Sequence, residues 1–249
     1  MENKPLISIV TVSYNAVSTI EQTILSVINQ TYSDIEYIVI DGGSKDGTVD
    51  LIKKYADKIT YWISESDNGI YDAMNKGIKI ASGEWINFMN CGDFFYDNDV
   101  ISKIFNCDVK RNSDVIYGKR ILSFADRKFI QDPKRLDEFE NDFPIFHQSV
   151  FVLTKLMKIN NFNCNYKICA DYNFFYILWK NKCKFEFADL IISICDCEFG
   201  ISSLYKNEPI RVKENILIQK AHISFFSKLR LFIVSLFYGK TNVNLNLRT

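Results

Sequence analysis

Three short polar clusters carry the side chains best suited to chemistry: Ser13-Tyr14-Asn15, Asp41-Gly42-Gly43-Ser44 and Asn90-Cys91-Gly92-Asp93. Each follows an apolar run, and in an open parallel sheet ligands bind outside the carboxyl ends of the strands. Their convergence says more than any one of them alone. An acidic residue closing the second strand, as Asp41 does, would also suit the ribose anchor of a dinucleotide site. That site needs a G-x-G-x-x-G loop after the first strand, where backbone must approach a pyrophosphate. Here the loop reads Ser13-Tyr14-Asn15-Ala16-Val17-Ser18, with no glycine, so a nicotinamide dinucleotide site is disfavoured.

The elements that must position these clusters alternate over the first hundred residues. A strand is predicted over 6–14. The capping-box pattern Ser18-Thr19-Ile20-Glu21 then opens a helix through residue 29. An apolar run over 35–40 ends on Asp41 and enters the turn-rich Gly42-Gly43-Ser44-Lys45-Asp46-Gly47. A helix over 48–55 and a strand over 59–64 follow. A second long helix fits 70–80, where Ile70, Ala73, Met74, Gly77 and Ile78 share one face. A fourth strand over 85–89 runs into Asn90. This order implies a mainly parallel sheet with helices on both faces.

After about residue 110 the pattern changes. A hairpin is predicted from 115–124 and 128–131, then a polar loop over 132–144, a helix over 170–181, and strands at 184–187 and 191–199. The chain thus reads as a nucleotide-type α/β half joined to a mixed half. From Pro209 it is helical in pattern, and 223–238 is rich in Phe and Leu with Lys228 and Arg230 among them. Such a stretch suits a helix lying in a membrane surface; the alternative is a helix packed on the domain or on a second copy of the chain.

Composition bounds the classes. In 249 residues, 30 Lys and Arg balance 30 Asp and Glu, and 47% of residues are hydrophobic, which fits a folded globular chain rather than a disordered one. Zero net charge without a dominant basic block argues against a nucleic-acid partner. Seven cysteines without a C-x-x-C pair, and two histidines, argue against a disulfide framework or a zinc ribbon and for reduced thiols. The N-terminal apolar stretch is short and runs into Ser13-Tyr14-Asn15 without a cleavage site, so a buried strand is expected rather than a secretion signal. No apolar run reaches the ~18–20 residues that cross a bilayer.

Taken together, Ser8-Ile9-Val10-Thr11-Val12-Ser13-Tyr14-Asn15 and Ile40-Asp41-Gly42-Gly43-Ser44-Lys45-Asp46-Gly47-Thr48 resemble the start of a family-two glycosyltransferase. The likeness continues through Ser66-Asp67-Asn68-Gly69-Ile70-Tyr71-Asp72-Ala73-Met74-Asn75-Lys76-Gly77, Ala81-Ser82-Gly83-Glu84 and Phe88-Met89-Asn90-Cys91-Gly92-Asp93. His147-Gln148-Ser149-Val150-Phe151 and Ala170-Asp171-Tyr172 complete it, in order, over residues 6 to about 185. The subgroup that builds bacterial surface polysaccharides is most similar. The resemblance implies the GT-A fold: an α/β chain with a mainly parallel Rossmann-like sheet flanked by helices, a mixed acceptor-side half and a C-terminal helical tail. The implied division is a catalytic domain over 1–205, with a nucleotide-sugar half over 1–105 and an acceptor half over 106–205, and an amphipathic tail over 206–249.

The resemblance further implies transfer of a hexosyl or N-acetylhexosaminyl group from a nucleotide diphosphate sugar, a UDP-sugar being expected, to a hydroxyl with inversion. Asp93 resembles the last carboxylate of the family's metal-binding D-x-D-type motif, where Mg²⁺ or Mn²⁺ would hold the pyrophosphate. Asn90-Cys91-Gly92 departs from the several aspartates of many relatives; Asn90 is expected on the donor side. The alternative for Asp93 is an acidic turn residue capping 94–96. Asp41 matches the nucleobase-reading position, with Thr11, Ser13 and Asn15 expected in the same pocket. Asp67 and Lys76 resemble donor-contacting residues, the alternative for Lys76 being a solvated helix face. Asp171 resembles the catalytic base, taking the acceptor proton opposite the leaving group; its alternative is a helix N-cap. His147 resembles an acceptor-side residue, or is a lone buried histidine. The implied acceptor is a polyprenyl-diphosphate-linked saccharide, reached from the cytoplasm by a protein held peripherally on the inner membrane face through its tail; a homodimer is the other partner expected. Two rival readings remain open. One is a degenerate domain that binds nucleotide or saccharide without catalysis. The other is a sugar nucleotidyltransferase, whose glycine-rich basic N-terminal loop is missing here.

Overall fold

A computed structural model describes residues 4–106, 112–197 and 207–219. The stretch 223–238 expected on a membrane, together with Cys107 and His222, lies outside the described residues.

The first half follows the hydrophobic pattern closely. Strand β1 (Ile7–Ser13) is buried on both faces, as its continuous apolar run requires. It pairs in parallel with β2 (Ile35–Asp41) on one side and β4 (Trp85–Phe88) on the other, and β3 (Tyr61–Ser64) adds in parallel to β2. Helices α1 (Ile20–Ile28), α2 (Thr48–Lys54) and α3 (Ile70–Ile80) make the crossovers. Side chains alternate along β1: Ile7 and Ile9 join the core beneath α1, whereas Val10 and Val12 join the core beneath α3. The sheet is thus covered on both sides.

The register matters for function. Ser13 pairs with Asp41, and Asp41 pairs with Ser64, so three polar residues stand level at the carboxyl ends of three adjacent strands.

Beyond β4 the same sheet turns mixed. Strand β5 (Asp93–Phe95) is followed by α4 (Val100–Phe105), then β6 (Val115–Ser123), β7 (Lys128–Gln131), β8 (Val150–Leu153), α5 (Thr154–Ile159), α6 (Ala170–Lys180), β9 (Phe185–Asp196) and α7 (Glu208–Gln219). The order across the nine-stranded sheet is β3-β2-β1-β4-β8-β6-β9-β5, with β7 paired to β6. Strand β8 is antiparallel to β4 and β6, and β9 is parallel to β6. The hairpin of β6 and β7 turns where the sequence places it.

Four differences from the sequence reading have local causes. The capping box does not form: α1 starts at Ile20 with no side-chain cap, and the Glu21 carboxylate goes instead to Lys54 Nζ (2.7 Å) and Tyr55 Oη (2.6 Å) of the facing helix region. The two strands expected at 184–187 and 191–199 are one strand, β9, because an irregular register near Gly118 absorbs the polar Asp189 without breaking the ladder. The loop 132–144 contains a 3₁₀ turn at Leu136–Glu140 that buries Phe139 completely against Tyr172 and Trp179. Short α4, α5, β5 and β8 escape a reading based on periodicity, since none exceeds six residues.

Gly83 marks how tightly the bottom of the sheet closes. A Cβ there would lie 2.6 Å from Ser8 N and 2.8 Å from the Leu6 carbonyl oxygen, both backbone atoms of the first strand region. Backbone cannot yield as a flexible side chain does. Gly83→Ala is expected to cost about 1–3 kcal/mol. Melting should then fall by several degrees in scanning calorimetry, and an unchanged transition would show that the turn relaxes freely.

Candidate active site

Asp41 organises the strand ends. Its carboxylate is fully buried and accepts five hydrogen bonds: from Ser13 Oγ (2.8 Å), Ser44 Oγ (2.5 Å), Ser64 Oγ (2.7 Å), Gly43 N (3.1 Å) and Ser44 N (2.8 Å). Burial pushes the carboxyl upward, but these donors outweigh it and hold it below the ordinary carboxylate range. The result differs from the expected nucleobase acceptor. Two oxygens offer about four lone-pair sites, and in this conformation all are spent on the protein.

Around that hub the loops are stitched together. Asn15 takes a left-handed conformation, φ +47°. Its N–H donates to Ser44 Oγ (2.7 Å) and its Oδ1 accepts from Lys45 N (3.0 Å). Val17 N reaches Asp46 Oδ2 (3.1 Å), and Ala16 N reaches Thr48 Oγ1 (2.8 Å). Gly42 is packed closely: a Cβ on it would be 2.4 Å from Asp67 Oδ2 and 3.3 Å from the ring of exposed Tyr14, so only glycine lets that carboxylate come so near the backbone. Asp67 is fixed there by accepting from Gly69 N (2.9 Å).

Two donor-side expectations change. Thr11 does not line a pocket: it is fully buried, its Oγ1 donates to the Met89 carbonyl (2.7 Å) and it meets Tyr37 Oη at 3.0 Å. Alternation along β1 puts it on the Ile7 and Ile9 side, inside the core. Lys76 is neither a solvated helix residue nor an open cation. Its Nζ binds Glu65 (2.7 Å) and the Ser66 carbonyl (3.1 Å), and the Glu65 pairing raises its pKa.

The third cluster joins the acceptor side. Asp93 N donates to the Asn90 carbonyl (2.9 Å) in a turn through Gly92 at φ +91°, and the Asp93 carbonyl accepts from Thr23 Oγ1 (2.8 Å). Asp93 begins β5 and is buried, rather than capping an exposed turn. Burial raises its carboxyl above the ordinary value, opposed in part by His147, by Gln148 and Cys195 hydrogen bonds and by Arg120. Asn90 Oδ1 is buried without a hydrogen-bond partner in the described structure.

His147 sits between these residues and the sixth helix. Its Nε2 is 3.4 Å from Asn90 Nδ2, and its Nδ1 is 3.2 Å from Asp171 Oδ2. It is therefore not a lone histidine. Asp171 lies in the first turn of α6, whose N-cap is Cys169 without a side-chain bond, so capping does not explain it. Its Oδ1 accepts from Tyr172 N (2.8 Å) and lies 3.2 Å from Tyr71 Oη, which also reaches the Ile168 carbonyl at 2.5 Å. Burial and Asp171 push the Tyr71 hydroxyl well up, keeping it a donor.

Sequence reasoning quoted Tyr14, Tyr71 and Gln148 within its motifs but gave none of them a role of its own. Tyr71 reads as one more apolar residue on the α3 face, and nothing in its spacing tells a hydroxyl aimed at a carboxylate from one aimed at water.

Among the described residues no group of three or more His, Cys, Asp or Glu side chains is placed to hold a metal ion. What the third cluster offers is the buried Asp93 carboxylate and the orphaned Asn90 Oδ1, with the Asn87 and Gln148 amide oxygens also buried without a partner among the described residues. The Asp93 and Asn90 oxygens are hard donors of the kind Mg²⁺ and Mn²⁺ take, alongside substrate phosphates. They fit such an ion.

Residues 8–178 match the model of glycosyl transferase family 2. The chain is 29% identical over 175 residues to the PGL/p-HBAD biosynthesis glycosyltransferase of Mycobacterium bovis, covering 68% of each chain. It is 31% identical over 225 residues to an uncharacterized glycosyltransferase of Rickettsia typhi, covering 85% of this chain and 64% of that one. Among solved structures, S. aureus TarS 1-349 in complex with UDP-GlcNAc superposes with a TM-score of 0.69 at 16% identity, over 97% of this chain and 76% of that one. The mannosyltransferase PcManGT of Pyrobaculum calidifontis, in complex with GDP-Man and Mn²⁺, gives 0.64 at 14% identity, over 96% and 77%. These two structures share the fold alone, whereas the sequence match spans the strand ends, His147 and Asp171: the protein is a glycosyltransferase with the GT-A fold and belongs to glycosyl transferase family 2.

Proposed function

We propose that this chain is an inverting transferase that moves a sugar from a UDP-sugar to a hydroxyl of a lipid-linked saccharide in cell-surface polysaccharide assembly. The observation that supports this reading is the chain Asn90–His147–Asp171, with contacts of 3.4 and 3.2 Å, which links the Asp171 carboxylate to the Asn90 turn through one imidazole.

Asp171 accepts the proton of the attacking hydroxyl. Its position is fixed by its own helix through Tyr172 N, and His147 and Tyr71 orient it as it takes the proton and becomes neutral. The nucleotide half binds through the floor built on Asp41, with Ser13 and Asn15 as its struts. Tyr14, exposed at the same strand end, offers its ring to the nucleoside, with Asp67 beside it. Asp93 and Asn90 would hold a Mg²⁺ or Mn²⁺ ion, which when bound would supply positive charge for the departing diphosphate. Lys76 reaches phosphate only by exchanging Glu65. The acceptor would be a polyprenyl-diphosphate-linked saccharide at the cytoplasmic membrane face, approached through 223–238. Among the described residues no helix is long and apolar enough to cross a membrane.

A second reading, nucleotide binding without transfer, is favoured by the single carboxylate at Asn90-Cys91-Gly92-Asp93. Two experiments separate the readings. UDP at ~100 times its dissociation constant should add ~2.7 kcal/mol, a rise in melting of roughly 5–10 °C for this length. With Mn²⁺ this shift should exceed that in chelator, and Asp93→Ala should remove the difference; GDP giving the larger shift would replace UDP in the reading. Because Asp93 holds its proton more firmly than an ordinary carboxylate, and metal must displace it, the Mn²⁺-dependent part should fade on acidification at a higher pH than the ordinary value of 3.8.

For the base, Asp171→Asn should lower turnover with a panel of nucleotide sugars about 10²–10⁴-fold while leaving the UDP shift intact. Equal turnover in the variant would remove Asp171 from the mechanism. No turnover by the unmodified chain, with a UDP shift present, would favour binding alone.

A further inference from the structure

Helix α7 lies beyond the residues that match the family model, yet it touches the site's most sensitive segment. Glu214, only 6% exposed, points its carboxylate at the loop that leads into α6. It accepts from three consecutive backbone N–H groups: Lys167 N (2.7 Å) on Oε1, and Ile168 N (3.0 Å) and Cys169 N (2.9 Å) on Oε2. The next residues are Ala170 and Asp171.

Nothing else in that loop does this work. The α6 N-cap, Cys169, makes no side-chain cap bond, so the carboxylate from another helix takes the place of the local cap. Two neighbouring contacts join the same two segments, and a third carries on from Tyr172 to the 3₁₀ turn at Leu136–Glu140. Cys169 Sγ donates to the Arg211 carbonyl (3.7 Å), Gln219 Nε2 donates to Tyr172 Oη (3.1 Å), and Tyr172 Oη donates to the Phe139 carbonyl (2.6 Å). The Ile168 carbonyl, whose own N–H is held by Glu214, is the acceptor for Tyr71 Oη, the hydroxyl beside Asp171. One buried carboxylate therefore fixes both the backbone that carries Asp171 and the carbonyl that aims its neighbour. The sequence shows the oddity once it is sought: Glu214 stands four residues from Ile210 and four from Ile218, an acid in an apolar stripe.

We infer that Glu214 is a positioning residue for Asp171, so that the segment after the family domain sets the geometry of the base. This rests on the proposed base role of Asp171. Charge-assisted bonds to N–H groups hold better than neutral ones, and misplacing a reacting group by about an ångström can cost 10²-fold in rate.

The test uses the full chain and its histidine ring resonances, of which there are only two sets, with Asp171→Asn and Glu214→Gln compared side by side. Asp171→Asn assigns the His147 signals by moving them. Glu214→Gln, close in shape and able to keep part of the bonding, should move the His147 signals too, though position 214 does not touch that ring. It should lower kcat with the panel of nucleotide sugars about ten- to a hundredfold, with the donor KM and the UDP thermal shift unchanged. Glu214→Ala should go further in the same direction, with a melting transition still present as the check on folding. Unmoved His147 signals in folded Glu214→Gln would overturn the inference, whatever the turnover. If Asp171→Asn keeps full turnover while Glu214→Gln moves the His147 signals, the base assignment fails and the structural coupling stands as geometry only.

Discussion

A carboxylate stripped of water is costly unless donors replace what it loses, and the donor side of this protein is built around one such group. The five donors to Asp41 come from the first strand, the third strand and the loop after the second. They can converge only if the three strands end level, which the pairing of Ser13 with Asp41 and of Asp41 with Ser64 provides. Strand register, the turn through Gly43 and the bonds from Asn15 to the Ser44–Lys45 segment are in that sense one arrangement. Displacing any strand by a residue would leave a buried charge short of partners and turn the inward apolar side chains outward.

The two halves of the chain meet across the site rather than beside it. Tyr71 stands on α3, in the first half of the chain, yet its hydroxyl lies against Asp171 and the Ile168 carbonyl of the second half. His147 reaches back the other way, toward Asn90. Asn75, on the same helix as Tyr71, exchanges bonds with the backbone of Phe162 at both ends of its amide. With these ties Asp171 is referenced to the first half of the chain by several short links.

Much of this was legible from residues alone, and the limits follow from physics. Continuous apolar runs and helical spacing located β1, β2, α2, α3 and α6 within a residue or two, because long periodic segments bury enough surface to decide their own form. The convergence of the polar clusters at strand ends followed from the α/β order. Partners did not. Whether Thr11 faces a pocket or the core depends on which side of β1 it takes, and whether Lys76 meets phosphate or Glu65 depends on a loop ten residues away in sequence. The bridge from His147 to Asp171 spans 24 residues, and the Glu214 contacts span more than 40. Such meetings are set by packing of whole layers, about which local spacing is silent.

Strand β8 runs antiparallel to β4 with Trp85 opposite Leu153 and Ile86 opposite Val152. Each step up β4 is a step back along β8 and the segment before it, so Asn90 arrives level with the residues His147 and Gln148. Asn87 Nδ2 keeps that alignment past the last formal pair, bonding the Gln148 and Val150 carbonyls at 3.0 and 2.8 Å. What the two segments share is therefore a count of residues more than a set of identities. A single inserted or deleted residue between Phe88 and Asn90, or between His147 and Val150, would rotate the imidazole away from both of its neighbours.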